Sequence, residues 1–439
     1  MQQDHAPLKK VLGIFFGIAI VVGSTIGVGI LRTPGSIAAL VPDPMLIMAC
    51  WLLIGLYILL AASSYAELTV MMPKAGGAYN YIHRAFGHFA GFLFGWFDLL
   101  NNAIAPAFFC IVLGEYTADI FPTLVPYETF LALGYLLFFS AVNLPGVRSG
   151  STLQKVSSIL KIVLFLILIV GCFVARPGYA TPETTQFAFT GTAIIGIFKA
   201  LQLIMGTYDG WMAVSFFAEE DSHPERQVPR SYLIGAFGVM MIYLLINGAI
   251  LYAVPIDVIA QSPLAAAEAA DVAFGSWGST LVTAVSVFSI ISILNAYVMI
   301  PPRILFGLGR DGFAPKQVTY VNTGGTPHVA LMAICVFDAI LIVLSSFETL
   351  FGLATFMMAV VTLFAFASVI ALRIKEPGTP RPYRAWGYPF SSGLLVLVTL
   401  ALIVGFVFGD PFSAKVVVAI SVLCYFIYRF LVKKSSTSI

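Results

Sequence analysis

Hydrophobic positions along this chain come in long blocks, without the short-range alternation that marks a half-buried strand. The blocks at 11–30, 45–62, 159–174, 232–253, 329–344, 392–409 and 416–430 are mostly long enough to cross a hydrocarbon layer ~30 Å thick as helices. Backbone polar groups in such a layer have no water to bond, so helices that satisfy themselves internally are the predicted element. The pattern predicts spans near 12–40, 45–70, 87–118, 129–143, 156–175, 191–217, 231–254, 278–302, 327–345, 349–372, 390–409 and 413–432. The third is expected to be interrupted at Pro106. The connections around 176–190, 218–230, 255–277 and 303–326 are rich in Pro, Gly and charge, and predict ordered loops or short surface helices.

Composition removes the soluble alternatives. Of 439 residues, 59% are hydrophobic and 10% charged, with a mean hydropathy of +0.96, whereas a water-facing domain carries about 25% charged residues. A signal peptide explains one apolar block and not a series that reaches the C-terminus. Charge placement then predicts orientation. Of the 23 Lys and Arg, Arg32, Arg176 and Lys415 fall on one side, Lys161 and Lys199 lie within spans, and the remaining eighteen fall on the other side. By the positive-inside rule that richer side, with both termini, is cytoplasmic.

Chemistry is sparse. The five cysteines, Cys50, Cys110, Cys172, Cys335 and Cys424, stand singly inside apolar blocks and read as buried small hydrophobes. The five histidines lie near span ends or in loops without metal-ligand spacing. The Gly-rich first segment lacks the Lys-Ser/Thr of a phosphate loop, and no basic surface of nucleic-acid-binding size exists. An enzyme and a nucleic-acid partner are therefore not expected.

Two spans contain helix-breaking clusters at mid-depth: Gly23-Ser24-Thr25-Ile26-Gly27-Val28-Gly29-Ile30 in the first, and Met205-Gly206-Thr207-Tyr208-Asp209-Gly210-Trp211 in the sixth. Glycines in membrane helices also serve close packing. Interrupted helices in corresponding positions, with four spans between them, point instead to a central transport site. An unwound turn exposes carbonyls on one half-helix and amides on the other, each reinforced by the local dipole. A zwitterionic amino acid needs both. The expected site places Gly27, Val28 and Gly29 at the carboxylate, and carbonyls near Thr25, Ile26, Met205, Gly206 and Asp209 at the ammonium. Tyr208 and Trp211 would shape or gate the side-chain pocket, with packing as the other reading for Trp211. Asp209 either caps backbone amides or contacts substrate. Lys161 either snorkels to the surface or bridges the first, fifth and eighth spans as a fixed cation. Asn295 reads as packing or as part of transport, Glu67 and Arg303 as a gate network or structural pairs, and Tyr79 and Tyr81 as interfacial anchors.

These segments resemble the amino acid–polyamine–organocation superfamily, in particular its bacterial L-type amino acid transporter-like branch. The resemblance rests on Gly27-Val28-Gly29-Ile30 with Pro34-Gly35, Tyr65-Ala66-Glu67-Leu68, the run from Pro73-Lys74-Ala75-Gly76-Gly77 to Ile82, Tyr208-Asp209-Gly210-Trp211, Phe217-Ala218-Glu219-Glu220, Arg310-Asp311-Gly312-Phe313-Ala314-Pro315 and Arg381-Pro382-Tyr383-Arg384, in order along nearly the whole chain. It implies an all-α membrane protein of about twelve spans. Two inverted five-helix repeats, 1–175 and 191–372, with broken first and sixth helices, would be followed by two C-terminal helices over 390–439. It implies sodium-independent transport of neutral L-amino acids by alternating access, through exchange or proton coupling, with no cofactor. Lys161 matches the lysine that occupies a sodium-site region in sodium-coupled relatives. Val28 replaces the usual serine, and Gly206 stands where many L-type relatives carry a gating phenylalanine, which implies a larger cavity or another aromatic gate. The connection from Asp119 to Pro126 has no cysteine to join a heavy subunit, which implies membrane lipid but no disulfide-linked partner, in a bacterial inner membrane. The competing expectations are a cationic amino acid or polyamine permease, in which Asp98, Glu115 and Asp209 would converge on the cavity, and a transporter-like receptor.

Overall fold

The computed structural model describes residues 8–27, 29–175, 191–262, 264–345, 347–409 and 411–432. Val28 and the connection 176–190 lie outside them. Every described element of length is helical: α1 Ile14–Thr25, α2 Gly29–Leu40, α3 Pro44–Met71, α4 Ala78–Phe86, α5 His88–Ile120, α6 Glu128–Asn143, α7 Val147–Val174, α8 Gly191–Thr207, α9 Pro224–Ala253, α10 Ile256–Gln261, α11 Ala265–Phe274, α12 Gly278–Arg310, α13 His328–Leu344, α14 Phe347–Lys375, α15 Phe390–Gly409 and α16 Pro411–Ile427. Among the described residues nine helical stretches are long and apolar enough to cross a membrane, or ten when the bent pair α1 and α2 is one span. Below that length stand the apolar α13 and α8, which is followed by a ten-residue 3-10 segment, Trp211–Glu220.

Several boundaries differ from those expected. α5 runs unbroken through Pro106, because a helix packed on both sides tolerates the one backbone bond that proline removes. α7 begins nine residues before the expected 156, and α12 continues through Pro301 and Pro302 to Arg310. The 255–277 connection folds into α10 and α11, short helices as its composition suggested.

The core is built around α1. It packs against α7, α9 and α12, while α3 lies along α9, and α5 is surrounded by α4, α6, α12, α13 and α14. α15 and α16 stand at the periphery, packed mainly against α14 and each other. Small residues allow these approaches. A methyl group on Gly17 would stand 2.1 Å from Ser231 Oγ, and one on Gly23 would stand 1.8 Å from Gln154 Nε2.

The face at which α1 begins is closed by polar side chains. The amides of Val11 and Leu12 both donate to the Glu220 carbonyl at 3.0 Å, joining the entry to α1 with the end of the 3-10 segment. Glu220 and Arg303, both buried, pair at this face, and the Arg303 guanidinium stacks 4.3 Å from the Phe217 ring centre. Glu67 accepts from Arg373 at 2.6 and 2.9 Å and from the Ala385 amide at 2.7 Å, pinning the α14–α15 connection onto α3. Glu67 and Arg303 thus sit in separate clusters and do not pair with each other. Tyr79 and Tyr81 are fully buried, bonded to Asp311 at 3.1 Å and Thr69 at 2.7 Å, and so are not interfacial anchors. The sequence pattern alone missed this, because the short α4 carrying them is folded under neighbouring helices.

Candidate functional site

The two glycine clusters are helix breaks, and they face each other. α1 ends at Thr25 and α2 starts at Gly29, with a 43° bend between them. α8 ends at Thr207, and the chain turns through Tyr208, Asp209 and Gly210 before the 3-10 segment. Gly210 has φ +95°, a conformation that costs little only without a Cβ. A Cβ there would also lie 2.4 Å from the Ser24 carbonyl oxygen, so the breaks touch through main chain. Ser24 Oγ donates to the Gly210 carbonyl at 2.8 Å across the same contact.

The carbonyls left over at a helix C-terminus need donors, and buried side chains supply them. The Tyr243 hydroxyl lies 2.9 Å from both Thr25 O and Thr207 O, the last carbonyls of α1 and α8. Lys161 Nζ donates to Gly23 O at 2.9 Å and to Ile26 O. Ser158 Oγ donates to Ala19 O at 2.9 Å. Lys161 is the fifteenth residue of α7 and has no exposed surface. It does not snorkel: counted from the true start of its helix it lies near the middle. Its partners are the break in α1, while the eighth span is reached through its helix neighbours Gln154 and Ser158, which approach Ser292 at 3.4 and 3.3 Å.

Beside the breaks lies a cavity of about 360 Å³. Its wall includes Ser24, Thr25, Gly27 and Gly29 from the first break, and Gly206, Thr207 and Asp209 from the second. Phe108, Phe109, Ile293 and Tyr297 form another side. It extends away from the face where α1 begins, past Arg32 and Thr33 on α2 to Gly352, Thr355 and Phe356 on α14 and Phe406 on α15. On the other side of the breaks the path is filled by aromatic rings. Trp211 packs edge-on to Tyr65 with centroids 4.8 Å apart, and Tyr65 packs against Tyr81 at 6.1 Å.

Not every expected residue meets the cavity. Ile26, Met205 and Tyr208 are buried outside its lining. The Ile26 carbonyl holds Lys161, the Met205 carbonyl accepts the Tyr208 amide at 3.1 Å, and the Tyr208 ring packs on Trp51 and Tyr243 at 5.9 and 4.7 Å. Trp211 belongs to the aromatic plug. Asn295 is fully buried, with its amide donating to Gly150 O at 3.1 Å and Gln154 Oε1 at 2.8 Å and its oxygen accepting from Asn143 at 3.1 Å. It ties α6, α7 and α12 together away from the lining. Asp209 caps a backbone amide and lines the cavity: Oδ1 accepts the Gly210 amide at 2.7 Å and Oδ2 accepts from Tyr297 at 3.3 Å. Asp98 is buried and bonded to Asn102, and neither it nor Glu115 is among the lining residues.

Tyr243, Tyr297, Arg32 and the Gln154–Ser158–Lys161 row were not singled out together from sequence. The row had a legible signal: Gln154, Ser158 and Lys161 recur at helical spacing as one polar face of an apolar span. Among the described residues, no three His, Cys, Asp or Glu side chains are grouped to hold a metal, and all five cysteines are buried with free thiols.

Residues 12–428 match the amino acid permease family. The chain is 26% identical over 406 residues to the serine/threonine exchanger SteT of Bacillus subtilis, covering 90% of this chain and 91% of that protein. It is 28% identical to the b(0,+)-type amino acid transporter 1 of Mus musculus, covering 97% and 88%. It is 30% identical to the large neutral amino acids transporter small subunit 2 of Homo sapiens, covering 86% and 72%. A match of this extent, on a helical fold that wraps a mid-depth cavity, means that the chain belongs to the amino acid permease family: it is a multi-pass plasma-membrane protein, not an enzyme, and carries amino acids by secondary transport.

Proposed function

We propose that this permease moves neutral L-amino acids by sodium-independent alternating access, through exchange or proton coupling. The observation that carries the reading is the cavity at the two facing breaks, where Gly27 and Gly29, at the start of α2, line one wall and Thr207 and Asp209 line another. The first amides of a helix lack intrahelical partners and favour a carboxylate. The Asp209 carboxylate, which lines the cavity beside the second break, favours an ammonium. Ile26 and Met205 leave this scheme because they are buried outside the cavity lining, and the gating role passes to Trp211 and its aromatic neighbours. Lys161 holds break carbonyls that a metal cation would otherwise coordinate, which favours sodium independence.

Twelve spans in two inverted repeats, 1–175 and 191–372, with two further helices over 390–439, fit the paired breaks and the peripheral α15 and α16. With the basic face cytoplasmic, the cavity is open outward and the aromatic plug closes it inward. The names of the relatives, a serine/threonine exchanger and a large neutral amino acids transporter, favour neutral substrates and exchange. A cationic or polyamine substrate is disfavoured because Asp209 is the one carboxylate among the described lining residues. Gly206 in the wall favours large neutral side chains, and Gly206→Phe should shift preference toward small ones.

Radiolabelled uptake into proteoliposomes, empty or preloaded, in sodium or choline and across pH, tests this reading. Uptake that needs internal amino acid establishes exchange, and stimulation by an inward proton gradient establishes coupling. A sodium requirement overturns the role given to Lys161, and ligand binding without counterflow indicates a receptor. A Cβ at Gly27 would approach Ile293 Cδ1 at 3.2 Å, so Gly27→Val should fill the carboxylate end and weaken binding in protein that still folds.

A further inference from the structure

The cavity wall carries charge of both signs, and only the negative charge has a part in the scheme above. Arg32, one helical turn past the α1–α2 break, lines the wall toward the open end and is solvent exposed. Its Nε donates to the Tyr116 hydroxyl at 3.0 Å, and its guanidinium carbon lies 5.1 Å from the Tyr116 ring centre. That contact holds the side chain on α5 while using one of the five N–H donors of a guanidinium. The opposing carboxylate, Asp209, lies deeper, and its two oxygens accept the Gly210 amide and the Tyr297 hydroxyl. A solute entering the cavity therefore meets a fixed positive charge first. It reaches a carboxylate only afterwards, and that carboxylate is already solvated by the protein.

We propose that Arg32 is a specificity-determining residue at the cavity mouth: it receives the carboxylate of an incoming zwitterion and turns away solutes of net positive charge, namely cationic amino acids and polyamines. The inference rests on the cavity being the substrate's path. A guanidinium presents a planar fork that matches a carboxylate through two parallel hydrogen bonds, which an ammonium cannot reproduce. The same charge repels a second ammonium on the substrate. Because Arg32 is exposed, this repulsion acts within about one Debye length, roughly 8 Å at physiological ionic strength, and weakens as salt rises.

Labelled leucine and lysine are compared in counterflow with proteoliposomes of wild type, Arg32→Gln, Arg32→Glu and Arg32→Lys. The lysine-to-leucine ratio of kcat/KM should rise about threefold in Arg32→Gln and about tenfold in Arg32→Glu, with both gains shrinking at high salt. Arg32→Lys should keep the exclusion of lysine but raise the KM for leucine, because the fork is lost. If Arg32→Glu is inactive, Arg32→Gln and the thermal stabilisation of each variant by leucine or lysine give the same reading. An unchanged ratio in both variants overturns the proposal. Gly206→Trp, which fills the cavity, separates the two levels. If it carries leucine like wild type, the cavity is not the path and the underlying reading fails. If it blocks leucine while Arg32 variants keep the wild-type ratio, only the filter fails.

Discussion

Replacing Lys161 by methionine removes the ammonium and keeps the length of the side chain, so it leaves little empty volume. The structure assigns that ammonium two acceptors, Gly23 O at 2.9 Å and Ile26 O, at the end of α1. Each buried carbonyl that loses its donor costs about 1–3 kcal/mol, or about 2–6 kcal/mol for the pair. The variant also no longer buries a charge, which returns part of that loss, since desolvating an ammonium costs several kcal/mol. Net global destabilisation of about 1–3 kcal/mol is expected, with the larger effect local to the break. Thermal unfolding in detergent reads the first. Hydrogen exchange at the last turn of α1, including the Ile26 amide now bonded to Val22 O at 3.0 Å, reads the second, and counterflow reads the consequence. Lys161→Gln, which supplies a neutral donor, should restore part of the protection. If the methionine variant matches wild type in both exchange protection and counterflow, the lysine does not hold the break and the reasoning fails.

Gly210→Ala should lose at least about 1–2 kcal/mol, because φ +95° is unfavourable for an L side chain and the new methyl meets Ser24 O; thermal stability and counterflow should fall together. Glu220→Gln and Arg303→Met should each cost about 3–5 kcal/mol by leaving a buried charge unpaired, and the double variant should cost less than the sum of the two; an additive thermal cycle would contradict this. At the same face Arg84 and Glu376 pair in the open at 2.6 Å, so Arg84→Ala should cost less than about 1 kcal/mol. The Arg84 hydrogen bonds hold the Glu376 carboxyl below its usual range. Its folded value lies below the unfolded one, so the contribution is complete above the ordinary glutamate value of 4.5 and disappears as pH falls through the lower folded value. An acid titration of stability should show that loss in wild type and a smaller one in Arg84→Ala, where Thr379 and Arg381 still act on the carboxyl.

The two breaks were legible because their cause is local. Glycines clustered inside apolar blocks weaken a helix wherever the rest of the chain lies, and Gly23 to Gly29 and Gly206 to Gly210 mark the places where α1 and α8 end. Span existence was equally legible, whereas span limits were not: α7 begins before its apolar core, with Arg148, Ser149 and Thr152 exposed on its first turns, and α12 continues past its own because neighbouring elements bury Arg303 to Gly309. That difference changed the meaning of Lys161, which looks near an end when the hydrophobic block is counted and stands near the middle when the helix is.

The sequence by itself determined a helical membrane protein with two weak points in its helices, since block length, charge deficit and glycine content act within one segment. Only the tertiary structure decided which groups satisfy those weak points and which face the cavity. Tyr243, Lys161 and Ser158 reach the carbonyls of α1 from other helices, Ile26, Met205 and Tyr208 turn away, and Arg32 turns in. The direction a side chain takes around a helix depends on which neighbours pack against it, and nothing within twenty consecutive apolar residues fixes that choice.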